Sequence, residues 1–152
     1  MITPAEWPRD LDLVRGLFRE YAAGLGFDLG FQGFEEDLAA LPGKYAPPHG
    51  QVLLAWADGE AVGIVALRPV EGTTGEVKRL YVRGTARGGR WGRRLMEALI
   101  EQARALGYTR LCLDTRPMMA SAVALYRDLG FTPTEPYVFN PYPDVIYLGR
   151  DL

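Results

Sequence analysis

One stretch of the chain, LYVRGTARGGRWGRRL at residues 80–95, runs from an apolar strand through a loop of glycine and arginine into a helix. That order gathers backbone N–H groups at a helix start, where the positive end of the helix dipole also lies. Glycines there let a phosphate approach the main chain closely. Arg87, Arg90, Arg93 and Arg94 add formal positive charge at the same place. The chemistry implied is capture of a phosphorylated ligand. A surface turn with solvated arginines is the plainer alternative. Two nucleotide-binding patterns fail on spacing. No lysine with a following hydroxyl residue comes after Gly92, as a Walker A loop requires, and Gly84, Gly88, Gly89 and Gly92 do not form GxGxxG.

Nucleophilic and metal chemistry find few residues. Cys112 is the only cysteine, so no internal disulfide forms. It lies in the apolar run RLCLDT and reads as a buried structural thiol. His49, the only histidine, lies in the loop APPHG, and no GxSxG elbow exists to receive it as a triad base. Zinc sites of the usual Cys/His kind are excluded by count.

The central stretch resembles the strand–loop–helix core of the GNAT superfamily of acyl-CoA-dependent N-acyltransferases. Its usual loop is Arg or Gln, two residues, Gly, one residue, then Gly or Ala. Here Arg87, Gly88, Gly89, Arg90, Trp91 and Gly92 match at the first and last positions, with Arg90 in place of the middle glycine. The resemblance extends from Glu76 to Phe131 and includes ALYRDLGF at its far end. It implies a GNAT-like α/β (α+β) fold in a single domain spanning 1–152. That fold is a mixed, mostly antiparallel sheet of six to seven strands, with helices on both faces and a central parallel pair that splays apart.

The same resemblance implies acetyl-CoA as co-substrate, no metal, and an amine acceptor that attacks the thioester directly. It assigns the pantetheine arm to the backbone of Leu80, Tyr81 and Val82. The pyrophosphate goes to the backbone of Arg87, Gly88, Gly89, Arg90, Trp91, Gly92 and Arg93. Tyr126, in ALYRDLGF, faces the sulfur and returns a proton to the departing thiolate. Ser121 either contacts the arm or supports its helix terminus. Glu76 is the candidate base for the acceptor's proton, ahead of Asp114 and Glu71; a solvated strand-end glutamate is the alternative. The acceptor pocket is expected between the early helices, residues 45–49, Arg68 and residues 137–144, with Arg68 or Arg116 free to bind an acceptor carboxylate. Other functions stay open: a non-catalytic acyl-CoA sensor, an acetyltransferase of protein amines, and a relative in fold alone whose cleft serves protein contacts.

Hydrophobic periodicity predicts the elements that hold these residues. Residues 2–6 read as an edge strand or a capping box. A helix starting at Pro8 ends near 24–26, and a second spans 31–41, stopped by Pro42 and Gly43. Strands follow at 51–57 and 61–69 around an Asp58-Gly59 turn, and at 76–83. A helix over 91–106 carries Leu95, Leu99, Ala103 and Leu106 inward, with Arg93 and Glu97 paired outward. A strand at 109–115, parallel to 76–83, a helix at 118–129 and strands at 131–135 and 145–152 complete the pattern. The 152 residues suit one domain, and a net charge of −2 argues against a nucleic-acid partner. No apolar run is long enough to span a bilayer and no signal peptide opens the sequence, so a cytoplasmic location without membrane partners is expected, with a homodimer left open.

Overall fold

Seven strands form one sheet: Ile2–Pro4 (β1), Gln51–Ala57 (β2), Glu60–Glu71 (β3), Thr74–Val82 (β4), Arg110–Thr115 (β5), Thr132–Pro133 (β6) and Ile146–Asp151 (β7). The computed structural model describes residues 1–30, 33–86 and 88–152. Strand order is β1-β2-β3-β4-β5-β7-β6, and every neighbouring pair is antiparallel except β4 with β5. Helices Leu11–Leu25 (α1) and Phe34–Ala40 (α2) cover one face, while Trp91–Ala105 (α3) and Ala120–Asp128 (α4) cover the other.

The β2–β3 hairpin turns where the sequence places it. Asp58 and Gly59 both have positive φ (52° and 80°), the backbone of a type I′ turn whose twist matches the strands. β3 and β4 run further than expected, to Glu71 and from Thr74, because the intervening Gly72 also takes positive φ (54°) and tightens the connection. At the far edge β6 shrinks to two residues, since Pro133 lacks an N–H and tolerates only an edge.

α1 starts at Leu11, three residues later than Pro8. The Asp10 carboxylate accepts the Glu6 N–H at 2.8 Å, and Asp10 N–H donates to the Glu6 carbonyl. This reciprocal pair closes a turn that keeps residues 7–10 out of the helix. In the second helix, α2 begins at Phe34; Phe31 and Gln32 lie outside the described residues.

α3 shows why this chain needs both faces of its sheet. Leu95, Met96, Leu99, Ile100 and Ala103 are all buried against Leu53, Val65, Leu67 and Val77. Each large side chain so buried contributes about 1.5–3 kcal/mol. Val14, Leu17 and Phe18 of α1 pack on Leu54, Ile64 and Ala66 on the opposite face. The outward Arg93–Glu97 pair does not form; Arg93 reaches Asp128 at the end of α4 and ties the two helices together.

Candidate active site

The parallel pair opens in mid-sheet. β4 and β5 pair only at Thr74↔Arg110, Gly75↔Leu111 and Glu76↔Cys112. β4 then continues to Val82 and β5 to Thr115 without pairing to each other. Antiparallel neighbours β3 and β7 hold the outer sides of both strands. The backbone of β4 that faces β5 beyond Glu76 therefore has no ladder partner in the sheet.

A bulge sharpens this divergence. Ile64 pairs with Tyr81 and Ala66 with Lys78, so Arg79 and Leu80 together oppose Val65. Arg79 takes φ +58°, and this puts Lys78 and Arg79 on the same face. The Arg79 guanidinium is buried over the rings of Phe18 and Phe34, at 4.9 and 4.8 Å. Its Nη2 donates to Asp37 of α2 at 3.1 Å. Among the described residues its Nε and Nη1 have no hydrogen-bond partner, nor does the buried Tyr45 hydroxyl.

The loop after β4 leads into α3. Among the described residues, no backbone N–H from 88 to 93 finds a protein acceptor, and the first backbone bond of the helix is Arg94 N–H to the Arg90 carbonyl. Arg90 is the residue preceding the helix and has φ +55°, and Gly88 has φ +92°. A left-handed position at Arg90 is where a glycine fits without strain, and holding a side chain there costs about 1–2 kcal/mol. The Arg90 side chain is exposed and does not fill the gap between the strands. Arg94 lies over the Trp91 ring at 3.9 Å. Arg87 lies outside the described residues.

Tyr126 approaches from the other face. Its ring is buried on α4 beside Phe131, centroids 6.0 Å apart. Burial raises its pKa above the ordinary tyrosine value, and the charges of Tyr21 on α1 and Asp114 on β5 raise it further. Those two residues belong to the opposite side of the sheet, so the Tyr126 hydroxyl feels groups across the opening. It makes no hydrogen bond among the described residues. Ser121, on the first turn of α4, lines a cavity of about 590 Å³ with Gly24, Leu25 and Met119.

On the α1–α2 face the strands carry a buried ionic layer. Glu76 is 1% exposed. Its Oε1 accepts Arg68 Nε at 3.0 Å and its Oε2 accepts the Tyr137 hydroxyl at 2.6 Å. Tyr137 has its pKa raised strongly, by burial first and by Glu76 next. Lys78 Nζ stands 3.8 Å from Glu76 Oε2 and 4.0 Å from Asp114 Oδ1. Burial lowers the Lys78 pKa against the opposing pull of those two carboxylates. Tyr137, Cys112, Glu71 and Glu135 line a further cavity of about 250 Å³. The Cys112 thiol is pushed up to about 11 by burial, so it is not a thiolate at neutral pH.

Neither arginine expected to bind an acceptor carboxylate is free. Arg68 is shared between Glu76 and Asp37, and Arg116 grips both oxygens of Asp144 at 2.8 and 3.2 Å. Arg116 also lies against the rings of Phe27 and Tyr142, at 4.6 and 4.0 Å. Together with the Tyr142 hydroxyl on the Asp28 carbonyl, this fastens the 134–145 segment to the end of α1 over the ionic layer. The sequence carried no sign of Lys78, and it offered Tyr137 only as the start of the 137–144 loop around the acceptor pocket, not as a partner of Glu76. Lys78 owes its place to the bulge at Arg79, and Tyr137 to a contact 61 residues away in sequence.

A mostly antiparallel sheet opened at its one parallel pair, with a helix start beside the opening, defines an acyl-CoA N-acyltransferase. The Acetyltransferase (GNAT) family model matches residues 15–131. The chain is 42% identical to an N-acetyltransferase of Schizosaccharomyces pombe, covering 99% of this chain and 94% of the relative. It is 45% identical to an IAA acetyltransferase of Azospirillum brasilense, over 68% of this chain and 67% of the relative. A crystal structure of an acetyltransferase from Streptococcus agalactiae superposes with a TM-score of 0.79 at 25% identity, covering 100% and 98% of the two chains. The chain belongs to the GNAT acetyltransferase family.

Proposed function

We propose that this N-acetyltransferase moves an acetyl group from acetyl-CoA to the primary amine of a small molecule or amino acid, by direct attack. The observation that carries this reading is the ladder that stops at Glu76↔Cys112 while both strands go on. Unpaired main chain in a sheet needs partners, and the amides of a pantetheine arm supply them as a peptide does at a sheet edge. Leu80, Tyr81 and Val82 take the arm, and the unpartnered N–H groups of residues 88–93 take the pyrophosphate at the positive end of α3. The fit to these groups is chemical: the loop offers donors and no carboxylate of its own.

The bulge at Arg79 and Leu80 leaves one residue of β4 out of the ladder, and its N–H polarises the thioester carbonyl. The neutral amine attacks the carbonyl carbon. Its proton passes to Glu76, directly or through the Tyr137 hydroxyl that Glu76 already accepts. As the C–S bond breaks, Tyr126 donates its proton to the sulfur. No covalent enzyme intermediate is required, in keeping with a Cys112 held as a thiol.

The test is acetyl-CoA with a panel of small amines and a thiol reagent, alongside melting curves with CoA. Saturation at about 100 times Kd stabilises a binder by about 2.7 kcal/mol. A rise in melting temperature with amine-dependent release of CoA is expected. No rise at millimolar CoA, or no release above background across the panel, rejects the reading.

A further inference from the structure

Lys78 and Asp114 face one another where the β4–β5 ladder has just ended. Each lies two residues beyond the last paired rung, Glu76↔Cys112, on the same face of the sheet. Their side chains are each 5% exposed and stand 4.0 Å apart. That is too far for a hydrogen bond. Asp114 Oδ2 accepts the Asn140 amide at 3.0 Å, which fixes the carboxylate plane and leaves Oδ1 turned to the lysine. Among the described residues neither Lys78 Nζ nor Asp114 Oδ1 makes any hydrogen bond. Lys78 Nζ is ion-paired at long range and keeps its hydrogen-bond donors, and Asp114 Oδ1 its acceptor capacity, for a ligand that reaches between them.

The surroundings rule out several occupants. Glu76 accepts from Arg68 and Tyr137 and stands 3.8 Å from Lys78 Nζ, ion-paired but without a hydrogen bond to it. The carboxylates of Glu76 and Asp114 act on the Lys78 nitrogen ahead of the guanidinium groups of Arg68 and Arg79. The charge of Asp114 raises the pKa values of Tyr21, Tyr126, Tyr137 and Tyr147, from four different segments. A carboxylate oxygen that takes no hydrogen bond suits an ammonium ion.

We infer that Lys78 and Asp114 together recognise the head of an α-amino acid, Lys78 holding its carboxylate and Asp114 its ammonium. The inference rests on the acetyltransferase reading and narrows its acceptor. The dimensions agree. In an α-amino acid the nitrogen and the nearer carboxylate oxygen are about 2.7 Å apart, from standard bond lengths. Charge-assisted hydrogen bonds of about 2.8 Å at each end then close a trapezoid whose long side matches the 4.0 Å between Nζ and Oδ1. An amine so placed lies beside the Glu76–Tyr137 pair that takes its proton and at the edge of the strand opening. A plain amine leaves Lys78 unsatisfied, and a carboxamide offers it only a neutral acceptor.

Calorimetry on the whole chain, with and without CoA, tests this using the standard amino acids, their carboxamides and their decarboxylated amines. At least one amino acid is expected to bind about tenfold or more tighter than its carboxamide and its amine. Lys78→Met is expected to erase that preference, and Asp114→Asn to weaken all three ligands. Equal binding of an amino acid and its amine, or no binding by any amino acid at millimolar concentration, overturns the inference. CoA titrated alone keeps the two readings apart: failure of CoA to bind counts against the transferase reading, whereas the carboxylate preference is measured in either case.

Discussion

Tyr126 has its pKa raised by burial and makes no hydrogen bond among the described residues, as the proposed proton donor requires. Tyr126→Phe removes the hydroxyl and keeps the ring against Phe131. A thiolate is a fair leaving group near neutrality, so kcat is expected to fall by about tenfold to a hundredfold, at the low end for general acids. The Kd for CoA should hold, as measured by calorimetry beside initial rates. An unchanged kcat would remove the tyrosine from the reaction. The place of this residue on its helix was legible in the sequence because ALYRDLGF carries it, and that of Glu76 because its strand leads into the arginine loop. Lys78 was not. Nothing in GEVKRL says that its neighbour Arg79 turns left-handed and sends both side chains to one face.

At the level of elements, the short helix α2 is held to the sheet by a cation among rings. Arg79 enters the space between Phe18 and Phe34, and Asp37 of α2 is its only ionic partner among the described residues. Asp37→Ala leaves that guanidinium buried with no counter-charge and also takes a contact from Arg68. Removing one partner of a buried pair costs about 3–5 kcal/mol. Asp37 is 27% exposed on its side chain, so the lower end, about 3 kcal/mol, is expected. A urea midpoint equal to that of the parent chain would show that the rings alone hold α2. Elements with strong local punctuation were read to within a residue or so: β2 between a proline-rich loop and the Asp58-Gly59 turn, and α3 between Arg90 and Gly107. Where two local signals competed, the reading slipped. Pro8 suits a first helical turn, yet Asp10 closes a turn of its own with Glu6 and delays α1.

For the molecule as a whole, acid is the condition that separates its parts. Asp10, Glu20 and Asp144 have pKa values lowered in the folded chain, each chiefly by a hydrogen-bonded arginine: Arg9, Arg83 and Arg116. Their contribution is complete above the unfolded values, about 3.9 for Asp and 4.3 for Glu. It is lost as pH falls below those values through the folded ones. Urea midpoints should therefore decline from about pH 5 downward, and Asp10→Asn should flatten the decline. A midpoint flat to pH 3 would contradict these pairings. Of the whole, the fold class was readable because the local pattern of strand, loop, helix and strand fixes the parallel pair. The ionic layer was not, since its members come from five separate stretches, the 134–145 segment among them, that only the folded chain brings together.

Because the strands part in the middle of the sheet, the sheet is a partition with a window in it. On the reading developed above, the nucleotide is gripped beside one face and the recipient is sorted on the other, and the two meet only at the sill. Mutations that retune the choice of recipient can accumulate in α1, α2 and residues 134–145 while the donor grip stays intact. An architecture divided in this way lets one lineage change customers without relearning its trade.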